Sequence, residues 1–132
     1  MLFKKQYLAF FFTLPIALMP LKSAASEVTP EVYSIQLFFG LSIPDGEKIT
    51  LQQWDDFVAN NIAKRFDGFN IVDSEGYWKG KPERSKIVTI IAKSEEVSKA
   101  ESIAHDYATM YHQDSVMLVK KPINKWEFVP SD

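Results

Sequence analysis

The sequence predicts a small α+β domain of the ferredoxin-like, split βαβ kind, in which two helices cover one face of an antiparallel sheet. Three observations predict it. The elements run strand, helix, strand, strand, helix, strand. The first strand alternates apolar and less apolar residues with period two. Two later segments carry apolar residues at helical spacing.

Val32 to Phe39 reads as the first strand, with Tyr33, Ile35, Leu37 and Phe39 on one face and Ser34, Gln36 and Phe38 on the other. Gly40 ends it, and Pro44-Asp45-Gly46 makes a turn. Thr50 reads as a helix N-cap, and Gln53 three residues on completes a capping box. Leu51, Trp54, Phe57, Val58, Ile62 and Phe66 then mark the buried face of the first helix, which Asp67-Gly68 stops. Phe69 to Asp73 is a short strand, followed by a turn at Glu75-Gly76, then Tyr77, Trp78 and a Gly80-Lys81-Pro82 loop. Ser85 to Lys93, rich in β-branched residues, is the clearest strand. Ser94 is expected to cap a second helix reaching Tyr111, with Val97, Ala100, Ile103, Ala104, Tyr107 and Tyr111 buried. Ser115 to Lys120 is the last strand, and Trp126 and Phe128 sit in a short tail.

An antiparallel sheet with helices on one face meets water on the other, which should then be polar. Here both faces are apolar. Ile87, Thr89 and Ile91 oppose Val88 and Ile90, Val116 and Leu118 oppose Met117 and Val119, and Phe38 adds to the second face. Something is expected to cover it: the Tyr77–Trp78 hairpin, the Trp126–Phe128 tail, or a second copy of the chain. Partial cover by these aromatics is favoured, with a homodimer through the open face as the further expectation.

The amino terminus is expected to lie outside this fold. Lys4 and Lys5 precede a sixteen-residue uncharged run from Gln6 to Leu21, and Ser23-Ala24-Ala25-Ser26 follows. That is the order of a secretory signal peptide, residues 1–25, cut after Ala25 or Ser26. The run is short for a membrane span and is interrupted by Pro15 and Pro20. Residues 26–31 read as a flexible leader and residues 32–132 as a single domain. The protein is therefore expected to be exported, to the periplasm or beyond the cell, with no stable membrane anchor after cleavage. Removing Lys4, Lys5 and Lys22 from 15 basic residues leaves 12 against 17 acidic, a charge of −5. That balance does not favour nucleic acid or anionic membrane surfaces. The absence of cysteine excludes disulfides and thiol catalysis.

No catalytic motif of real specificity is present, and no metal or cofactor is expected. His105 and His112 are seven residues apart, two turns on one helix, too far for one metal. Ser102 and His105 are at i, i+3, with no orienting acid in the pattern. Asp55 and Asp56 are adjacent on a helix and diverge, so they read as partners of the helix dipole.

The best ligand-site candidate is a polar cluster of Glu83, Arg65 and Gln113, walled by Trp54, Trp78 or Tyr107. A split βαβ fold brings the start of the long strand close to the loop after the second helix. The bland alternative is that these groups merely fix that junction.

An ordered set of landmarks resembles the bacterial domain of unknown function family 3574, small proteins that are often exported. Phe39-Gly40, Gly46, Trp54, Phe57, Arg65-Phe66 and Gly68 form one half of the set. Gly76, Trp78, Glu83, Ser85, Tyr107, Tyr111, Gln113, Ser115 and Val116 form the other. The chain departs from the pattern at Phe66-Asp67, where the family tends to have Phe-Pro, and at Tyr111, where it tends to have Phe. The resemblance implies the fold and supplies no catalytic residues. Two functions remain open. The favoured one is a non-catalytic module that binds an unknown protein or a small ligand. The alternative is a cofactor-free enzyme of the dimeric α/β-barrel kind, with an apolar pocket between two sheets.

Overall fold

The structure, a computed structural model, describes residues 31–132. The expected signal peptide and all but the last residue of the expected leader lie outside the described residues. In order, the chain forms β1 (Val32–Gly40), α1 (Leu51–Phe57), a π-helical turn (Val58–Ile62), β2 (Asn70–Trp78), β3 (Lys81–Lys93), a 3₁₀ turn (Ser94–Glu96), α2 (Val97–Met110) and β4 (Met117–Pro122). The four strands make one antiparallel sheet in the order β2-β3-β1-β4. It is an α+β fold with two helices.

The alternation of β1 decides which face is the core. Tyr33, Ile35, Leu37 and Phe39 are buried, joined by Val88, Ile90 and Ala92 of β3. Trp54, Phe57 and Ile62 from the first helical segment and Ala100, Ile103 and Tyr107 from α2 pack onto them. α1 begins at Thr50, whose hydroxyl accepts from the Gln53 backbone amide at 3.1 Å while the Gln53 side chain accepts from the Thr50 amide at 2.9 Å. That capping box stands as the sequence predicts. The helix then widens, and Ala63 donates its amide to the Val58 carbonyl, five residues back.

Four boundaries differ from the sequence expectation. β2 does not turn at Glu75-Gly76 but runs on to Trp78, and β3 begins four residues earlier than Ser85. The turn is Lys79-Gly80, both with positive φ (49° and 76°), the geometry of a two-residue hairpin. Ser94 is not the N-cap of α2, because a 3₁₀ turn intervenes and Glu96 accepts the Lys93 amide at 3.1 Å. β4 starts at Met117 rather than Ser115.

The longer hairpin explains why Tyr77 and Trp78 do not cover the open face. β1 ends at Gly40, opposite Ser85, so β2 is the one strand that pairs with residues 81–84. The hairpin tip projects past the end of β1, and Trp78 is 73% exposed. Trp126 and Phe128 instead stand beside Asn70, Thr89 and Ile91, so the tail crosses one part of this face. At the other end Val72, Ile87, Phe38 and Met117 lie side by side across all four strands. Val72 and Met117 are more than half exposed. Among the described residues no helix is long and apolar enough to cross a membrane.

Candidate functional site

β1 leaves the sheet at Gly40, and the chain folds into a small loop before α1. Leu41 donates to the Arg84 carbonyl at 3.0 Å and Ile49 to the Leu41 carbonyl at 2.9 Å, which ties the loop to the root of the β2–β3 hairpin. The Pro44-Asp45-Gly46 turn closes it, with Gly46 at φ 98°. Between this loop and the projecting hairpin opens a cleft of about 620 Å³. Its walls mix Leu41, Ile49 and Trp54 with charged groups of both signs.

The charges are arranged by register. Lys86 stands opposite Asp73 on the helix-facing side, and the two form an ion pair. Lys86 also lies 6.0 Å from the centre of the Trp54 ring. The Lys86 ammonium holds the Asp73 carboxyl below its ordinary range, first by hydrogen bonding and then by its charge. Lys48, Glu75, Glu83 and Arg84 also line the cleft, and among the described residues none of the four is in an ion pair.

Of the predicted cluster, the fold brings Glu83 and Gln113 together at Gly40. The Gln113 amide donates to the carbonyls of Ser42 at 2.8 Å and Tyr111 at 3.2 Å, so it fixes the junction of loop and α2. The Tyr107 hydroxyl donates to the Gly40 carbonyl at 2.6 Å. Burial is the chief reason its phenol is pushed well above the ordinary range, with Tyr111 and the Glu83 charge adding to it. Trp54 lines the cleft but is only 3% exposed, so it serves as floor more than as wall.

Arg65 does not join them. It comes after the π-helical turn, at the far end of the first helical segment, where its guanidinium holds Asp106 at 2.7 Å and the Asn61 carbonyl at 3.1 Å. There it lines a second groove of about 810 Å³ with Trp126 and Phe128. Trp78 sits at the hairpin tip with the Lys79 ammonium 5.9 Å from its ring. The histidines stay apart from both grooves, and the Ser102 hydroxyl donates to the Ser98 carbonyl at 2.9 Å within its own helix. Among the described residues no group of three His, Asp or Glu is placed to hold a metal.

Sequence reasoning missed Asp73, Lys86 and Gly40. The ion pair depends on the β2–β3 register, which the misplaced turn conceals. Gly40 reads as a strand end, yet its missing side chain is what lets Glu83 approach.

The pattern of the family described as "Protein of unknown function (DUF3574)" matches residues 34–128. No curated protein matches the sequence. Among solved structures, a phage SAM lyase in complex with S-methyl-5'-thioadenosine is similar, with TM-score 0.57, 18% identity, and 76% of this chain and 88% of that chain covered. The phage SAM lyase in its apo state gives TM-score 0.49 at 18% identity, covering 80% of this chain and 100% of that one. CutA1 from Oryza sativa gives 0.42 at 15% identity, covering 75% and 87%. The first likeness is one of fold.

Proposed function

The chain belongs to the DUF3574 family of proteins of unknown function, and we propose for it a non-catalytic role as a small-ligand-binding module. Its site is the cleft between the Gly40–Thr50 loop and the β2–β3 hairpin. One observation carries this: four charged side chains of both signs, unpaired among the described residues, surround a cavity of about 620 Å³. Ligand sites of this kind combine an apolar floor with a few convergent polar groups. Within the predicted cluster, Glu83 and Trp54 line the site, while Gln113 and Tyr107 stand behind it and hold the Gly40–Ser42 backbone through their hydrogen bonds. The element order and the central placement of β1 and β3 support a ferredoxin-like arrangement.

The test is an amide NMR titration of the mature domain with small polar compounds, charged and neutral. S-methyl-5′-thioadenosine, the ligand of the similar phage SAM lyase, is the first probe because that enzyme shares the fold. Shifts confined to Leu41, Ser42, Ile49 and Thr50 are expected for any compound that binds. A panel that moves none of these amides would sink the cleft as a binding site.

The apolar row of Val72, Ile87, Phe38 and Met117 favours a homodimer through the open sheet face, in a domain exported by the signal-peptide pattern of residues 1–25 to the periplasm or beyond. The tail crosses part of that face beside Thr89 and Ile91, which weighs against an apolar catalytic cavity between two sheets. Native mass spectrometry of protein exported from the full-length chain reads both features. The expected species is a dimer of chains beginning at Ser26 or Glu27, converted to monomer by Met117→Lys. A wild-type monomer would remove the dimer, and an intact Met1 would remove the export.

A further inference from the structure

Glu75 and Arg84 face each other across the β2–β3 hairpin without pairing, and we infer that they receive a small zwitterion in the cleft, a free amino acid with an apolar side chain. This rests on the cleft being a binding site and specifies the chemistry that it recognises.

Register sets two acid–base pairs side by side. Asp73 stands opposite Lys86, and two residues further along each strand Glu75 stands opposite Arg84. Side chains two apart share a face of the sheet, and all four groups line the same cleft. Pairs two steps apart on an antiparallel ladder also have the same hydrogen-bonding type and backbone spacing. Asp73 and Lys86 nonetheless close into an ion pair, whereas among the described residues neither Glu75 nor Arg84 is in one. The Arg84 charge is felt on this face: after Lys86, the chief cause, it adds to the lowering of the Asp73 carboxyl. The second pair is therefore an open one. Its carboxylate on β2 and its guanidinium on β3 both border a cavity of about 620 Å³.

The cleft as a whole balances its charges. Lys48, Arg84 and Lys86 line it with Asp73, Glu75 and Glu83. A ligand of one sign is drawn by half of these groups and repelled by the other half. A neutral ligand would cover the open pair and supply a counter-charge to neither member. A zwitterion answers both. Directly opposed residues on paired strands have Cβ atoms roughly 5 Å apart, so a ligand that meets both groups carries its two charges close together. The ammonium and carboxylate on the single carbon of an α-amino acid satisfy this. Glu75 would accept from the ammonium, and the Arg84 fork would take the planar carboxylate through two parallel bonds. The amino acid's side chain would lie on Leu41, Ile49 and Trp54.

The test uses two series of probes, each followed by amide NMR on titration into the protein. One is L-phenylalanine with 2-phenylethylammonium and 3-phenylpropionate, which lack its carboxylate and its ammonium respectively. The other is L-leucine with 3-methylbutylammonium and 4-methylpentanoate. The expected result is that the amino acid binds most tightly in at least one series, with shifts at the cleft amides. Arg84→Gln should weaken that amino acid roughly tenfold, the usual loss for a hydrogen bond to a charged group, and bring it to the level of the amine. Glu75→Gln should weaken it similarly and bring it to the level of the acid. Both residues are exposed, so the fold tolerates either change. An amine or acid that binds as tightly as its amino acid in both series would overturn the zwitterion site and leave the cleft as a binding site. So would an amino-acid affinity unchanged in either variant, or an Arg84→Gln loss shared equally by the amine. If none of the six compounds moves the cleft amides, the zwitterion site falls, and the cleft itself is judged by the wider panel above.

Discussion

Phe39→Ala should cost about 3–5 kcal/mol of folding stability, the range for removing a buried phenylalanine ring. Phe39 is fully buried, and three other rings meet it: Trp54 at 5.4 Å, Phe57 at 5.8 Å and Tyr107 at 4.7 Å between centroids. Such tilted and edge contacts add to the loss of buried area. No neighbour on the strand can refill the space, since Phe38 points to the opposite face. A domain of this size has about 5–15 kcal/mol to lose, and each kcal/mol shifts the melting point by roughly 4–8 °C. Urea denaturation followed by tryptophan fluorescence should show the midpoint collapsing. Phe38→Ala, one residue away and only part-buried, is the control and should cost about 1 kcal/mol. Equal losses in the two variants would mean that the core does not lie on the side of β1 described above.

The second large effect appears at alkaline pH and runs through Tyr107. Burial raises its phenol pKa above the ordinary value of 10.0, with Tyr111 and Glu83 adding to the shift. A raised acid keeps its proton in the folded state where the unfolded chain gives it up. The stability that this contributes is complete below about pH 10 and is lost as pH rises through the folded pKa. The slope approaches about 1.4 kcal/mol per pH unit for one fully shifted group. Tyr111 is shifted in the same direction, so it leaves a residual slope. Tyr107→Phe should cost about 1 kcal/mol at neutral pH, from the lost bond to the Gly40 carbonyl. It should then lose less than wild type between pH 9.5 and 11.5, so that the two curves approach each other. Lysine titration is common to both proteins and cancels in the comparison. Parallel curves would show that the Tyr107 hydroxyl titrates as though in water.

Much of the framework is legible in the sequence because it carries a period. Tyr33, Ile35, Leu37 and Phe39 alternate, and Ala100, Ile103 and Tyr107 recur by turns, since each set faces one apolar surface. Thr50 and Gln53 signal the start of α1 through a local hydrogen-bond exchange that needs no tertiary context. The hairpin from Ser74 to Arg84 is not legible for the opposite reason. It extends beyond β1, water reaches both of its faces, and polar residues then mark neither strand nor turn. The candidate site divides in the same way. Glu83 and Gln113 meet because strand order alone brings their segments together. The sequence groups Arg65 with them, but the first helical segment carries it to the other end of the sheet, where Asp106 neutralises it.

The wide turn at Val58–Ile62 has a consequence for chain length. Between Phe57 and Ile62 lie five steps, and a regular helix would swing Ile62 well off the side that Phe57 occupies. The π-helical turn holds more residues per revolution, so it takes up the surplus one like a pleat in cloth. Phe57 and Ile62 are both buried as a result. In this domain the first helix thus accommodates an odd residue without rotating its aromatic contacts away from the sheet.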